Sequence, residues 1–126
     1  MSFRTEWLDE PYILKTTFEE NTSAGELNLV MLEYLGAAQE QEIYFLLDFS
    51  KVTVPNDVLK LPSLLQVINH GNTKWVGIVK AETATSYMTK LLTRDKVNTF
   101  HDTDMAIGFL RGMVRLETGT KLPASV

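Results

Sequence analysis

The period of apolar positions changes several times along the chain, and each change marks an element. The densest apolar run is Ile43-Tyr44-Phe45-Leu46-Leu47, which continues through Asp48 to Phe49. It is too short for a helix and too continuous for a strand with one wet face, so it reads as a central strand covered on both sides. Lys74-Trp75-Val76-Gly77-Ile78-Val79-Lys80 reads as a second buried strand, with Gly77 marking a close approach of neighbouring backbone. Val97-Asn98-Thr99-Phe100 is a short third one. Upstream, residues 3–8 and 12–18 flank Asp9-Glu10-Pro11. Tyr12, Leu14, Thr16 and Phe18 alternate with Ile13, Lys15 and Thr17, which predicts a hairpin whose first arm is a sheet edge.

Helical spacing separates these strands. Ser23-Ala24-Gly25-Glu26 has the capping-box pattern, and Leu27, Val30, Met31, Tyr34, Leu35 and Ala38 follow on one face, ending near Ala38. Gly36 within this helix suggests close packing on the sheet. Val58, Leu61, Leu64, Leu65 and Ile68 mark a second helix, capped by Asn56 or Asp57. Pro62 fits only its first turn, so the regular part should start near Leu61 and end before Gly71 as the C′ residue. Residues 83–94 predict a third helix with Ala84, Tyr87, Met88, Leu91 and Leu92 inward. Asp102 caps a last one with Met105, Ala106, Phe109, Leu110, Met113 and Val114 inward. From Thr118 onward periodicity is lost, and residues 118–126 read as a flexible tail.

The order β-β-α-β-α-β-α-β-α predicts an α/β fold, with a mixed four- to five-stranded sheet and about four helices. The 126 residues suit one domain, 1–126, with its core at about 10–115. A hydrophobic content of 44% supports a substantial core, and no apolar run approaches the ~18 residues of a membrane span. No membrane insertion is therefore expected. The acidic, apolar-poor first ten residues do not read as a signal peptide. The absence of cysteine removes disulfides, thiolate nucleophiles and Cys-type metal sites, and fits a cytoplasmic protein.

Charge is uneven. Residues 1–42 carry nine acidic and two basic side chains, net −7; the remainder carries seven acidic and ten basic, net +3. Such a split can steer a partner, or it can be two ordinary solvated surfaces. A net charge of −4 with no basic stripe argues against nucleic acid.

Candidate chemistry is sparse. His70 lies at the end of the second helix, where a cation favours the helix dipole. His101 neighbours Asp102 and Asp104, which can serve as a base with its orienter, as metal ligands, or as a turn with a helix cap. Asp48 emerges at the carboxyl end of the central strand, where ligands dock in open α/β sheets; it can hold a ligand or bond the loop at residues 50–53. Ser63 and Ser86 lack an elbow motif, and no phosphate-binding glycine loop occurs. The reading is of a protein that is not an enzyme and takes no cofactor or metal. In the second helix, Val58, Leu59, Leu61, Leu64, Leu65, Val67 and Ile68 exceed one face. The excess is explained by deep packing under a loop, by a partner surface, or by the wall of an apolar ligand pocket.

Phe45-Leu46-Leu47-Asp48-Phe49-Ser50-Lys51-Val52-Thr53 resembles the strand and loop "LxLDLSxVT" of the STAS domain, the fold of anti-sigma-factor antagonists and of sulfate-transporter tails. Trp75-Val76-Gly77-Ile78-Val79 is similar to its next strand. Val97 to Asp102 with Met105-Ala106-Ile107-Gly108-Phe109-Leu110 resembles its closing strand and helix. The resemblance covers roughly residues 10–115 and is similar to single-domain bacterial STAS-like proteins. It implies a protein-docking surface at Val52, Thr53, Val54, Asn56, Asp57, Val58 and Leu61. In the regulated antagonists the loop continues Asp-Ser-Ser-Gly and its second Ser is phosphorylated. Here the register holds Asn56-Asp57-Val58-Leu59, so the position has no hydroxyl and Asp57 brings a fixed charge beside it. The expected function is a regulatory protein-interaction module without the phospho-switch. The alternative is a carrier or sensor of a small apolar ligand held by Leu61, Leu64, Leu65, Ile68 and Tyr87. A homodimer through the outward residues of the second helix is a further expectation.

Overall fold

The computed structural model describes residues 3–19, 23–51, 62–80 and 96–120. In chain order the elements are β1 (Phe3–Asp9), β2 (Ile13–Phe18), α1 (Ala24–Glu40), β3 (Ile43–Phe49), α2 (Pro62–Asn69), β4 (Thr73–Lys80), β5 (Val97–Phe100) and α3 (Thr103–Thr118). The strands form one mixed five-stranded sheet in the order β1-β2-β3-β4-β5. β1 runs antiparallel to β2, and the other neighbours are parallel. The expected α/β class and mixed sheet are thus present. Among the described residues there are three helices; the helix expected at 83–94 lies outside them, as do residues 121–126.

All seven residues of β3 are buried, which explains its continuous apolar run. The pleat sends Ile43, Phe45, Leu47 and Phe49 into one cluster with α1 and α2, and Tyr44 and Leu46 into another with α3. The two-sided cover follows from topology. Crossovers β2-α1-β3 and β3-α2-β4 step the same way across the sheet, and right-handed connections put both helices on one face. α3 follows the last strand and covers the other face, through Ala106, Ile107, Leu110 and Val114.

Aromatic pairs fix the first layer. Phe18 stacks on Phe49 at 4.5 Å between centroids, and Tyr34 on Phe45 at 4.1 Å. The Tyr34 hydroxyl, wholly buried, meets Thr16 Oγ1 at 2.5 Å, and Thr16 meets Thr5 at 2.9 Å, so a chain of hydroxyls joins α1 to the first two strands. α1 starts where expected: Ser23 Oγ accepts from Glu26 N–H, and Glu26 Oε1 accepts from Ser23 N–H, both at 3.2 Å. Ser63 of α2 donates to Asn28 of α1 at 2.7 Å.

Several local expectations change. Gly36 is exposed, and a Cβ there would meet nothing within 4 Å, so it is not a close-packing glycine. Gly77 does lie in a crowded place, but its neighbours are the side chains of Leu110, Leu46 and Phe100, not backbone. Gly71 has no positive φ; the left-handed cap is Gly119, at φ 75°, whose N–H donates to Arg115 O and closes α3. Five of the six residues expected on the inward face of α3, Ala106, Phe109, Leu110, Met113 and Val114, pack on the sheet. Ile107 is buried, whereas Met105, one turn before Phe109 on the helix flank, is 63% exposed.

α3 is also tied to the hairpin. Arg111 Nε and Nη2 donate to Asp9 Oδ2 and Oδ1 at 2.7 and 3.2 Å, a two-point pair with side chains only 12% and 10% exposed. Removing one partner leaves a nearly buried charge uncompensated, which costs more than the pair itself contributes. Arg111→Ala is expected to lower unfolding free energy by about 3 kcal/mol. In a denaturant series the double variant Asp9→Ala/Arg111→Ala should lose clearly less than the two single losses added together; simple additivity would refute the coupling.

Candidate functional site

The carboxyl end of β3 was the expected place for a site. There the Asp48 carboxylate, 5% exposed, accepts from Ser50 N–H at 2.9 Å through Oδ1 and from Thr103 Oγ1 at 3.0 Å through Oδ2. Asp48 belongs to the same strand face as Tyr44 and Leu46, so its side chain reaches the start of α3. It therefore pins the turn leaving the central strand to the first residue of the last helix. Asp102 caps that helix, with Oδ1 accepting from Asp104 N–H at 2.7 Å. His101 is exposed beside it. Among the described residues no three His, Cys, Asp or Glu side chains gather as metal ligands.

His70, at the end of α2, accepts from Asn72 N–H through Nδ1 at 3.1 Å. The charge at this helix end comes from Lys96, whose Nζ donates to His70 O at 2.8 Å. Partial burial and the nearby Lys74 lower the pKa of Lys96.

Of the residues expected to dock a partner, Val52, Thr53, Val54, Asn56, Asp57, Val58 and Leu61 lie outside the described residues, as does Tyr87. Leu64 and Ile68 are each 1% exposed and pack into the core beneath α1 and α2; Leu65 is half-buried at its margin. The apolar excess of α2 is, over its described part, core packing.

A concave site instead opens at the opposite, amino-terminal end of the parallel strands. A cleft of about 320 Å³ is lined by Tyr12, Gln41, Glu42, Tyr44, Lys74 and Glu117, together with Pro11 and Thr118. Glu117, at the end of α3, accepts from the Tyr44 hydroxyl through Oε1 and from Trp75 Nε1 through Oε2, the latter at 3.2 Å. Lys74 Nζ lies 2.5 Å from Glu42 Oε2. Gln41 Nε2 donates to Pro11 O at 2.7 Å, and the Tyr12 hydroxyl meets Thr120 Oγ1 at 3.1 Å. Thr118, Gly119 and Thr120, where the sequence places the start of a tail, are thus held by the helix cap and by Tyr12.

Electrostatically the cleft combines two carboxylates, one ammonium and two phenols. Burial first, then the bond to Glu117 and the charges of Glu117 and Glu42, raise the Tyr44 pKa well above the ordinary phenol value. The bond to Glu42 raises Lys74. At neutral pH the phenol is a donor and Lys74 a cation, so neither is a free base; the cleft suits binding of a small polar group. Sequence reading missed it because its partners are far apart, Tyr44 and Glu117 by 73 positions. The one local signal was a hydroxyl-bearing aromatic at the start of a strand that is apolar up to Asp48.

In comparisons with known proteins, no family model, curated protein or solved structure matches this chain. Among the described residues no helix is long and apolar enough to cross a membrane.

Tyr44 and Tyr34 share a pH consequence, since burial also raises the pKa of Tyr34. An acid whose folded pKa is raised contributes stability that is full below its unfolded value, about 10 for tyrosine, and is lost as pH rises from there towards the folded value. Stability should therefore fall above about pH 10, less steeply in Tyr34→Phe and Tyr44→Phe. Tyrosinate absorbance followed alongside circular dichroism checks this: both phenols should ionise only as the fold is lost. Glu117→Gln should bring Tyr44 ionisation down towards the ordinary value.

Proposed function

We propose that this chain is a non-enzymatic, STAS-like interaction module that docks a protein partner through Val52, Thr53, Val54, Asn56, Asp57, Val58 and Leu61. The observation that carries this reading is the engagement of Asp48. Both of its oxygens are committed to internal bonds, so the one acid at the carboxyl end of the central strand serves as an anchor for the chain leaving β3. Thr103 and Asp102 beside it are likewise committed to the start of α3. That end of the sheet then offers a fixed support from which the following segment is presented, and its polar groups are occupied in holding it. Val58 supplies no hydroxyl to phosphorylate, so docking in this reading is constitutive, with Asp57 as a standing negative charge.

A second reading, a carrier of a small ligand, draws on the amino-terminal cleft. Its walls mix polar and apolar surface and carry Lys74, Glu42, Glu117 and two phenols, so a ligand there would be a small one with hydrogen-bonding groups.

Native mass spectrometry of the full chain purified from its own host separates the two. The docking module is expected as the bare chain together with a co-purifying polypeptide in fixed proportion. A non-covalent adduct of small mass, lost on denaturation, would overturn it in favour of the carrier. Val58→Glu forces a charge into the docking surface and should weaken the polypeptide complex by about tenfold or more while leaving the fold intact by circular dichroism. Unchanged affinity in that variant would remove residues 52–61 as the surface.

A further inference from the structure

β1 is an edge. Among the described residues it has a strand neighbour on one side only, β2. An edge strand presents a row of backbone donors and acceptors able to accept another strand. The other edge, β5, is four residues long, whereas β1 has seven. The regular part of β1 is shorter than the whole. Pairing with β2 is in step from Phe3↔Phe18 to Trp7↔Leu14, then shifts between Trp7 and Asp9, so Leu8 sits in a bulge-type irregularity. Bulges end regular pairing. The usable edge is therefore Phe3-Arg4-Thr5-Glu6-Trp7, and its midpoint is Thr5.

That stretch is complementary to itself. Placed antiparallel to a second copy about a two-fold axis at Thr5, it sets Arg4 opposite Glu6 of the copy and Glu6 opposite Arg4. Phe3 falls opposite Trp7 and Trp7 opposite Phe3. The faces agree: Phe3 packs with the α1–α2 side and Thr5 bonds Thr16 there, so Phe3, Thr5 and Trp7 share one side and Arg4 and Glu6 the other. Arg4 and Glu6 already form an exposed pair within the strand, at 3.4 Å with side chains 73% and 49% exposed. In the paired edge these become four alternating charges across the axis. Trp7 is 37% exposed, unusual for so large an apolar side chain on a sheet face, and Phe3 of the copy would cover it. The two neighbouring symmetric registers centre on Arg4 or on Glu6 and set like charges directly opposite one another, which is unfavourable.

We infer that a second copy of this chain pairs with it edge to edge along Phe3–Trp7, joining two five-stranded sheets into one of ten strands. None of Phe3–Trp7 lines the cleft, and the inference stands without the function proposed above. Isologous pairing of this kind requires that residue i meets j and j meets i, which the order aromatic–base–Thr–acid–aromatic fulfils.

Charge reversal tests it in the full chain, by sedimentation equilibrium with circular dichroism as the check on folding. The wild-type chain is expected to be dimeric, more weakly so at high salt. Arg4→Glu and Glu6→Arg each place like charges across the axis twice, and each alone should weaken self-association by about tenfold or more. Both positions are exposed, so the fold is kept. The double variant Arg4→Glu/Glu6→Arg should dimerise again, and an equimolar mixture of the two single variants should form a heterodimer. A monomeric wild-type chain overturns the inference. So does a dimer indifferent to single reversal, or two single variants that fail to pair with each other.

Discussion

Two-sided burial of β3 is the constraint on which the remaining structure depends. A seven-residue strand with no exposed position needs a strand on each side and a helical layer above and below. β2 and β4 supply the first. α1 and α2 supply one layer as a direct result of right-handed crossovers that step in a single direction. The same rule leaves the opposite face without a crossover helix among the described residues, and α3 fills that vacancy. Its attachment is correspondingly thorough. Asp48 holds its first turn, Asp9 holds its middle through Arg111, and Tyr44 with Trp75 holds its end through Glu117.

These ties give the two ends of the sheet different characters. At the carboxyl ends of the strands the acid is nearly buried and both of its oxygens are occupied. At the amino ends the acids are exposed, a cleft opens between them, and the phenol that borders it is held protonated. Among the described residues, the acid at the usual docking end of an open α/β sheet is engaged in internal bonds, and a concavity lies at the other end. The exposed edge of β1 adds a third surface with its own charge order.

Much of the fold was legible because it is written in local periods. The uninterrupted run from Ile43 to Phe49, the alternation from Ile13 to Phe18 and the Ser23–Glu26 capping box each act within a few residues, and each appears where the pattern put it. Glycines were read less well. Gly36 stands exposed in a helix and Gly71 lacks the left-handed conformation, while Gly119, which has it, lay in what read as a tail. One flank of the α3 face was misread, with Met105 taken for Ile107, because the two are comparably apolar and only the sheet beneath decides between them. The cleft was illegible for a different reason. Its bonds join Tyr44 to Glu117 and Lys74 to Glu42, and no period in a single sequence encodes such separations. All seven residues expected to meet a partner fall outside the described residues, so that surface rests on the sequence resemblance and on the engagement of Asp48 at the end of β3.

The late position of α3 has a bearing on how the chain matures. During synthesis the hairpin, α1, β3, α2 and β4 leave the ribosome before it, so one face of the sheet can close early. Its other face, with Ile13, Tyr44, Leu46 and Val79, has no helix of its own among the described residues until 103–118 emerge. A nascent chain in that interval displays an apolar sheet surface to the cell, and such surface is what chaperones recognise and what aggregation exploits. In the folded chain it is Ala106, Ile107, Leu110 and Val114 of α3 that cover this face.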